Sequence, residues 1–112
     1  MKDDKLYLIH ITECIGRIES YITGGREEYM ASTLIQDAIL RNFEVIGEAA
    51  KHVSQDFRQR HPDIPWKRVA GFRDVLIHDY IGVDLDEVWS IIVEDIPSLK
   101  SRMKMLLAET GQ

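Results

Sequence analysis

Arg73, Asp74, His78, Asp79 and Tyr80 crowd into the eight residues RDVLIHDY, around only three apolar side chains, Val75, Leu76 and Ile77. The charged and polar types in that stretch have a chemistry in common. An arginine presents a planar, permanently charged fork that matches a phosphate. A histidine accepts or donates a proton near neutral pH. Together they suffice to cut RNA without a metal. A base removes the proton of the ribose 2′-OH, the oxygen attacks the adjacent phosphorus, and the guanidinium stabilises the charge that builds there. DNA lacks that hydroxyl, so such a site would act on RNA alone.

Spacing leaves the geometry open. On an ideal helix Arg73 and Tyr80 lie about 20° apart on one face, while His78 is about 140° around from Arg73. One straight helix therefore aims His78 away from Arg73. The two are reunited if the helix ends near His78, as Gly82 suggests, or if a second copy of the chain supplies the partner across a two-fold axis. Asp74, four residues before His78, is placed to bond the imidazole and fix its tautomer. From spacing alone, an arginine and a histidine this close are more often a surface ion network than a site. Other chemistries have less behind them. The chain has no G-x-S-x-G elbow and no glycine-rich phosphate loop. His52, His61 and His78 lack metal-ligand spacing, and His10 reads as structural, so neither a metal nor a cofactor is expected. Cys14, the single cysteine, permits no internal disulfide and reads as a small core residue.

The approach to this stretch is basic. Residues 51–73 carry Lys51, Arg58, Arg60, Lys67, Arg68 and Arg73 against Asp56 and Asp63, a local excess of +4 in a chain of net charge −5. It reads either as a solvated face or as a patch that steers phosphate. On the second reading Lys51, Arg58, Arg60, Lys67 and Arg68 are candidate RNA contacts. The acidic total argues against a general nucleic-acid binder. No segment approaches the ~20 apolar residues of a membrane span, and the acidic N-terminus MKDDKLYLIH is unlike a signal peptide. A soluble cytoplasmic protein is expected.

The elements that must position these residues are helical. A chain of 112 residues is read as a single domain with its core in about residues 4–108. Leu8, Ile11, Ile15, Ile18 and Ile22 form one helical stripe, closed by Gly24-Gly25. REEYMAS is a helical turn or loop. The pattern Ile35, Ile39, Phe43, Ile46, Ala50, Val53, Phe57 predicts the main helix, with Thr33 and Gln36 as its capping box. Asn42 and Glu44 fall off that stripe, facing solvent or an interface. HPDIPW is a break, after which Trp66, Val69, Phe72 and Leu76 form a third face. Asp84 caps a last helix, striped by Leu85, Val88, Ile92, Ile96, Leu99, Met103 and Leu106, with a kink expected from Pro97 and fraying from Ala108 onward. No period-two alternation persists. The expected fold is all-α, an antiparallel bundle of four main helices, and the surplus of Ile, Trp and Phe points to a homodimer.

RDVLIHDY also matches the R-x4-H-x-Y motif of HEPN domains. With LIQDAILRNFEVIGEAAKHVS, IPWKRVAGFRDVLIHDY and VDLDEVWSIIVEDIPSLK, nearly the whole chain resembles the HepT-like (DUF86) toxin family of that superfamily. The resemblance implies a HEPN-like helical domain that dimerises through the motif region, so that two copies of Arg73 and His78 meet in one cleft. It implies a metal-independent RNA endonuclease toxin, with Arg73 and His78 catalytic. Asp74 and Asp79, read as supporting residues, differ from the types many relatives carry and put negative charge close to where the phosphate would bind. It implies a partner, a minimal nucleotidyltransferase antitoxin of the MntA type, that transfers AMP to Tyr80, and a dimer able to assemble further with it. The alternative is a non-catalytic helical binding module that docks a nucleotidyltransferase or nucleotides, to which the acidic balance and Asp74 and Asp79 also point.

Overall fold

The computed structural model describes residues 2–72, 74 and 84–110. Among them the chain forms six helices: α1 Lys2–Tyr21, α2 Gly25–Ala31, α3 Thr33–His52, α4 Gln55–Arg60, α5 Trp66–Ala70 and α6 Leu85–Thr110. The described residues contain no strand, and the fold is the all-α bundle expected. No helix among them is long and apolar enough to cross a membrane.

The long helices follow the apolar stripes. Leu8, Ile11, Cys14, Ile15 and Ile18 of α1 are buried against Ile39, Phe43, Ile46 and Ala50 of α3 and Val88, Ile92, Ile96, Leu99 and Met103 of α6. Burial pushes the Cys14 thiol above its ordinary range, which leaves it an unreactive core group. Helix directions follow from their end contacts. Asp4, near the start of α1, reaches Ser54 beyond the end of α3, while Arg26 reaches Asp86 and Glu19 pairs with Lys100 further along α6. Both α3 and α6 therefore run antiparallel to α1.

The turn after α1 uses Gly25 at φ +87°, the left-handed region that glycine enters without a Cβ penalty. Helix α2 is then fixed by Tyr29, fully buried, whose hydroxyl donates to the Leu85 carbonyl at 3.0 Å and whose ring lies 5.1 Å from that of Trp89. Burial, and secondarily the charge of Asp86, raises the Tyr29 phenol to about 12.

Several boundaries differ from expectation. The cap of α3 is Ser32, whose side chain accepts from the Ile35 N–H at 3.1 Å, not Thr33. Gln36 is buried and donates instead to the carbonyls of Tyr29 and Met30, tying α2 to α3. Asn42 is also buried, its amide donating to the Ala38 carbonyl at 2.8 Å within its own helix, so the interior holds it rather than solvent. Glu44 pairs with Arg41.

The predicted main helix is two helices. Val53 leaves helical geometry (φ −64°, ψ 136°), and Ser54 caps α4 by accepting from the Phe57 N–H at 3.1 Å. The cause lies fifty residues away. The Asp4 carboxylate accepts from the Ser54 N–H at 2.8 Å and from its hydroxyl at 2.7 Å. Charge-assisted bonds of that kind are about twice as strong as the neutral helical bond they replace. Asp4 is 4 % exposed. Burial alone would raise its pKa, but the carboxyl is held below the ordinary 3.8, and the two bonds from Ser54 are the largest of the contributions that lower it.

At the far end, Asp84 caps α6 as expected, accepting from the Glu87 N–H at 3.1 Å. Helix α6 continues through the exposed Pro97 and stays helical to Thr110 rather than fraying at Ala108.

Candidate functional site

Arg73, His78, Asp79 and Tyr80 lie outside the described residues, as do Leu76 and Gly82. What the structure describes is the frame that leads to them: α4, α5, and the chain as far as Asp74.

This frame is fixed by aromatic packing. Phe57 of α4 lies 4.5 Å from the His61 ring and 6.3 Å, edge-on, from Trp66 of α5. The Trp66 indole N–H donates to the His61 carbonyl at 2.9 Å. His61 thus closes α4 as a turn residue, and Pro65 caps α5 at no cost in donors. Phe72 packs edge-on to Phe43 at 5.2 Å, so α5 is held to α3 from its other end as well.

Between α4 and α5 lies an open groove of about 530 Å³. Lys51, from the last turn of α3, and Gln55, Arg58 and Gln59 of α4 line one side; Trp66, Lys67 and Asp74 line the other. The five cations proposed as RNA contacts divide here. Lys51, Arg58 and Lys67 reach the groove and hold no carboxylate among the described residues. Arg60 turns to Asp56 at 3.2 Å and stands 5.5 Å from the Phe57 ring centre. Arg68 pairs with Asp95 of α6, and that hydrogen bond together with the carboxylate charge raises its pKa further. The Nε of Arg58 is buried without a hydrogen-bond partner among the described residues, a state that costs about 1–3 kcal/mol for a polar group.

Asp74 is helical and exposed, its N–H donating to the Gly71 carbonyl at 2.9 Å. Its carboxylate is the groove's one negative charge among the described residues, and in sequence it lies inside the motif stretch. Gln55, Gln59 and Trp66 were not singled out from sequence as site residues. Ser54 followed by the acidic Asp56 is a helix-start signal; it would have placed Gln55, Arg58 and Gln59 on one short helix had the apolar stripe not run across it.

The comparisons with known proteins agree with one another. A match to the family described as "Ribonuclease HepT-like" spans residues 11–106. The chain is 43 % identical over 109 residues to a "Gamma-glutamylcyclotransferase and putative RNase" of Methanocaldococcus jannaschii, with 96 % of this chain and 49 % of that protein covered. It thus spans about half the length of that relative. It is 42 % identical over 106 residues to "Probable ribonuclease HepT" of Thermococcus cleftensis, covering 94 % of this chain and 96 % of the relative. It is 39 % identical over 108 residues to a "Putative RNase" of Caldanaerobacter subterraneus, with 96 % of both covered. No solved structure matches significantly.

Proposed function

The chain belongs to the ribonuclease HepT-like family of HEPN domains, and on that premise we propose that it is a metal-independent RNA endonuclease and the toxin of a toxin–antitoxin pair. The observation that carries this reading is the complete Arg73-x4-His78-x-Tyr80 motif inside a family match that covers most of the chain.

The proposed reaction is an in-line transfer. His78 accepts the proton of a ribose 2′-OH, and the oxygen forms a bond to the neighbouring phosphorus. The bond from phosphorus to the 5′-oxygen breaks, that oxygen takes up a proton, and a 2′,3′-cyclic phosphate and a 5′-hydroxyl remain. Arg73 binds the phosphate and offsets the charge gathering on its oxygens. Two protomers supply the two copies of each group to one cleft.

Control is proposed to act at Tyr80. A minimal nucleotidyltransferase partner transfers AMP from ATP to its phenol, which loses its proton as pyrophosphate departs, setting an anionic phosphate beside Arg73 and His78 where it blocks RNA and opposes its charge.

The test is cleavage of labelled RNA by the purified protein in EDTA, beside His78→Ala. The reading expects cutting by the first and none by the second; intact RNA in both, or equal cutting, overturns it. Co-expression with the nucleotidyltransferase should add one AMP mass per modified chain, and Tyr80→Phe should abolish that increment.

A further inference from the structure

We propose that the groove between α4 and α5 is a second RNA subsite, in which Lys51, Arg58 and Lys67 hold backbone phosphates of a single strand away from the scissile bond. The choice of a polynucleotide over another anion rests on the ribonuclease reading above; the groove's charge does not.

The argument begins with the division of the basic segment. Five cations in residues 51–68 precede the motif. Two are neutralised by carboxylates, Arg60 by Asp56 and Arg68 by Asp95. The three that hold no carboxylate among the described residues all line one groove. A solvated face gives no reason for that coincidence, because solvated cations would be distributed without regard to a shared concavity.

The groove has the other features of a backbone site. Gln55 and Gln59, one turn apart on α4, present amides that can donate to phosphate oxygens or to sugar hydroxyls. It is open to solvent rather than closed, as a polymer requires. Among the described residues its one carboxylate is Asp74, which follows Arg73 of the motif in sequence. Phosphate is favoured by Lys51, Arg58 and Lys67 and repelled by Asp74, which biases the strand's placement in the groove.

Each phosphate neutralised on a single strand contributes about 0.7 to the slope of log affinity against log salt. The experiment is fluorescence anisotropy of a labelled, fully 2′-O-methylated single-stranded oligonucleotide across a salt series. That probe has no attackable hydroxyl, so binding is read apart from cleavage. Removing all three cations as K51Q/R58Q/K67Q should lower affinity at least tenfold at low salt and reduce the slope by about 2. Arg58 is partly buried, so the exposed pair K51Q/K67Q is measured as well, with an expected slope loss of about 1.4. The control, R60Q/R68Q, removes the same net charge as that pair and should change affinity less than twofold. Asp74→Asn should tighten binding.

Wild-type binding by K51Q/K67Q, or an equal loss in R60Q/R68Q, overturns the proposal. The two readings fail separately. Groove-dependent binding without His78-dependent cleavage would remove the nuclease and keep the subsite, whereas His78-dependent cleavage with binding indifferent to Lys51 and Lys67 would do the reverse.

Discussion

Arg60 and Arg68 end on the carboxylates of Asp56 and Asp95, whereas Lys51, Arg58 and Lys67, from the same short run of sequence, hold none among the described residues. Arg60 and Arg68 serve the fold: one closes a turn of α4, and the other joins α5 to α6. The remaining three form no ion pair among the described residues, where Arg58 also carries a buried Nε without a hydrogen-bond partner. A composition count treats all five alike. Their difference arises because a cation's availability depends on which carboxylates the fold brings within reach, and Asp95 is 27 residues from Arg68 in sequence.

The sharpest way to extend this contrast is to set groove against motif. His78→Ala or Arg73→Ala should reduce cleavage by ~10²–10⁴-fold on every RNA, dinucleotides included, as loss of a general base or charge stabiliser does. Melting curves recorded beside the cleavage assay should stay near wild type, which separates lost chemistry from lost fold. Next in size is a core change that should not discriminate between the two regions. Ile39→Ala, at a fully buried position, should destabilise the protein by about 2–5 kcal/mol in urea titrations.

Asp4→Ala probes the hinge on which the groove depends. It removes the acceptor of two Ser54 bonds and should cost about 1.5–3 kcal/mol. The effect has a pH signature. The folded pKa of Asp4 lies below its ordinary 3.8, so its stabilisation is complete well above that value. It is lost as pH falls through 3.8 and then through the folded value. Wild type and Asp4→Ala should therefore differ in urea midpoint at neutral pH and converge in strong acid; parallel curves down to low pH would remove Asp4 from this role.

Smaller again is the groove itself in catalysis. K51Q/K67Q should lower kcat/KM about tenfold on a long RNA and leave dinucleotide cleavage unchanged. At the low end, Arg68→Gln should cost no more than about 1 kcal/mol, because the Arg68 side chain in its ion pair with Asp95 is 59 % exposed. It should leave oligonucleotide affinity as it was. A large affinity loss there would erase the distinction between paired and unpaired cations.

Much of the fold was readable without coordinates. The stripes of α1 and α6, Asp84 as the cap of α6, the break at His61–Pro65 and the burial of Trp66, Val69 and Phe72 all rest on local periodicity and capping, which act within one or two turns. The errors share a cause. The stripe from Ile35 to Phe57 continues in register through Val53, so periodicity alone joins α3 to α4; Asp4 separates them from a distant part of the chain. The spacing of Gln36 from Thr33 fits a capping box, but Ser32 and the carbonyls of α2 offer better partners.

The amino-acid sequence by itself determined the helical class, the apolar faces and the family, because each is carried by residue types at spacings of a few positions. It also supplied the motif residues Arg73, His78 and Tyr80. Only the tertiary structure decided where α3 ends, that Asn42 and Gln36 lie inside, and which cations of the basic run hold no carboxylate among the described residues around one groove. Those outcomes turn on contacts between residues tens of positions apart, such as Asp4 with Ser54 and Arg68 with Asp95, whose energies depend on distance in space, a quantity that local pattern does not contain.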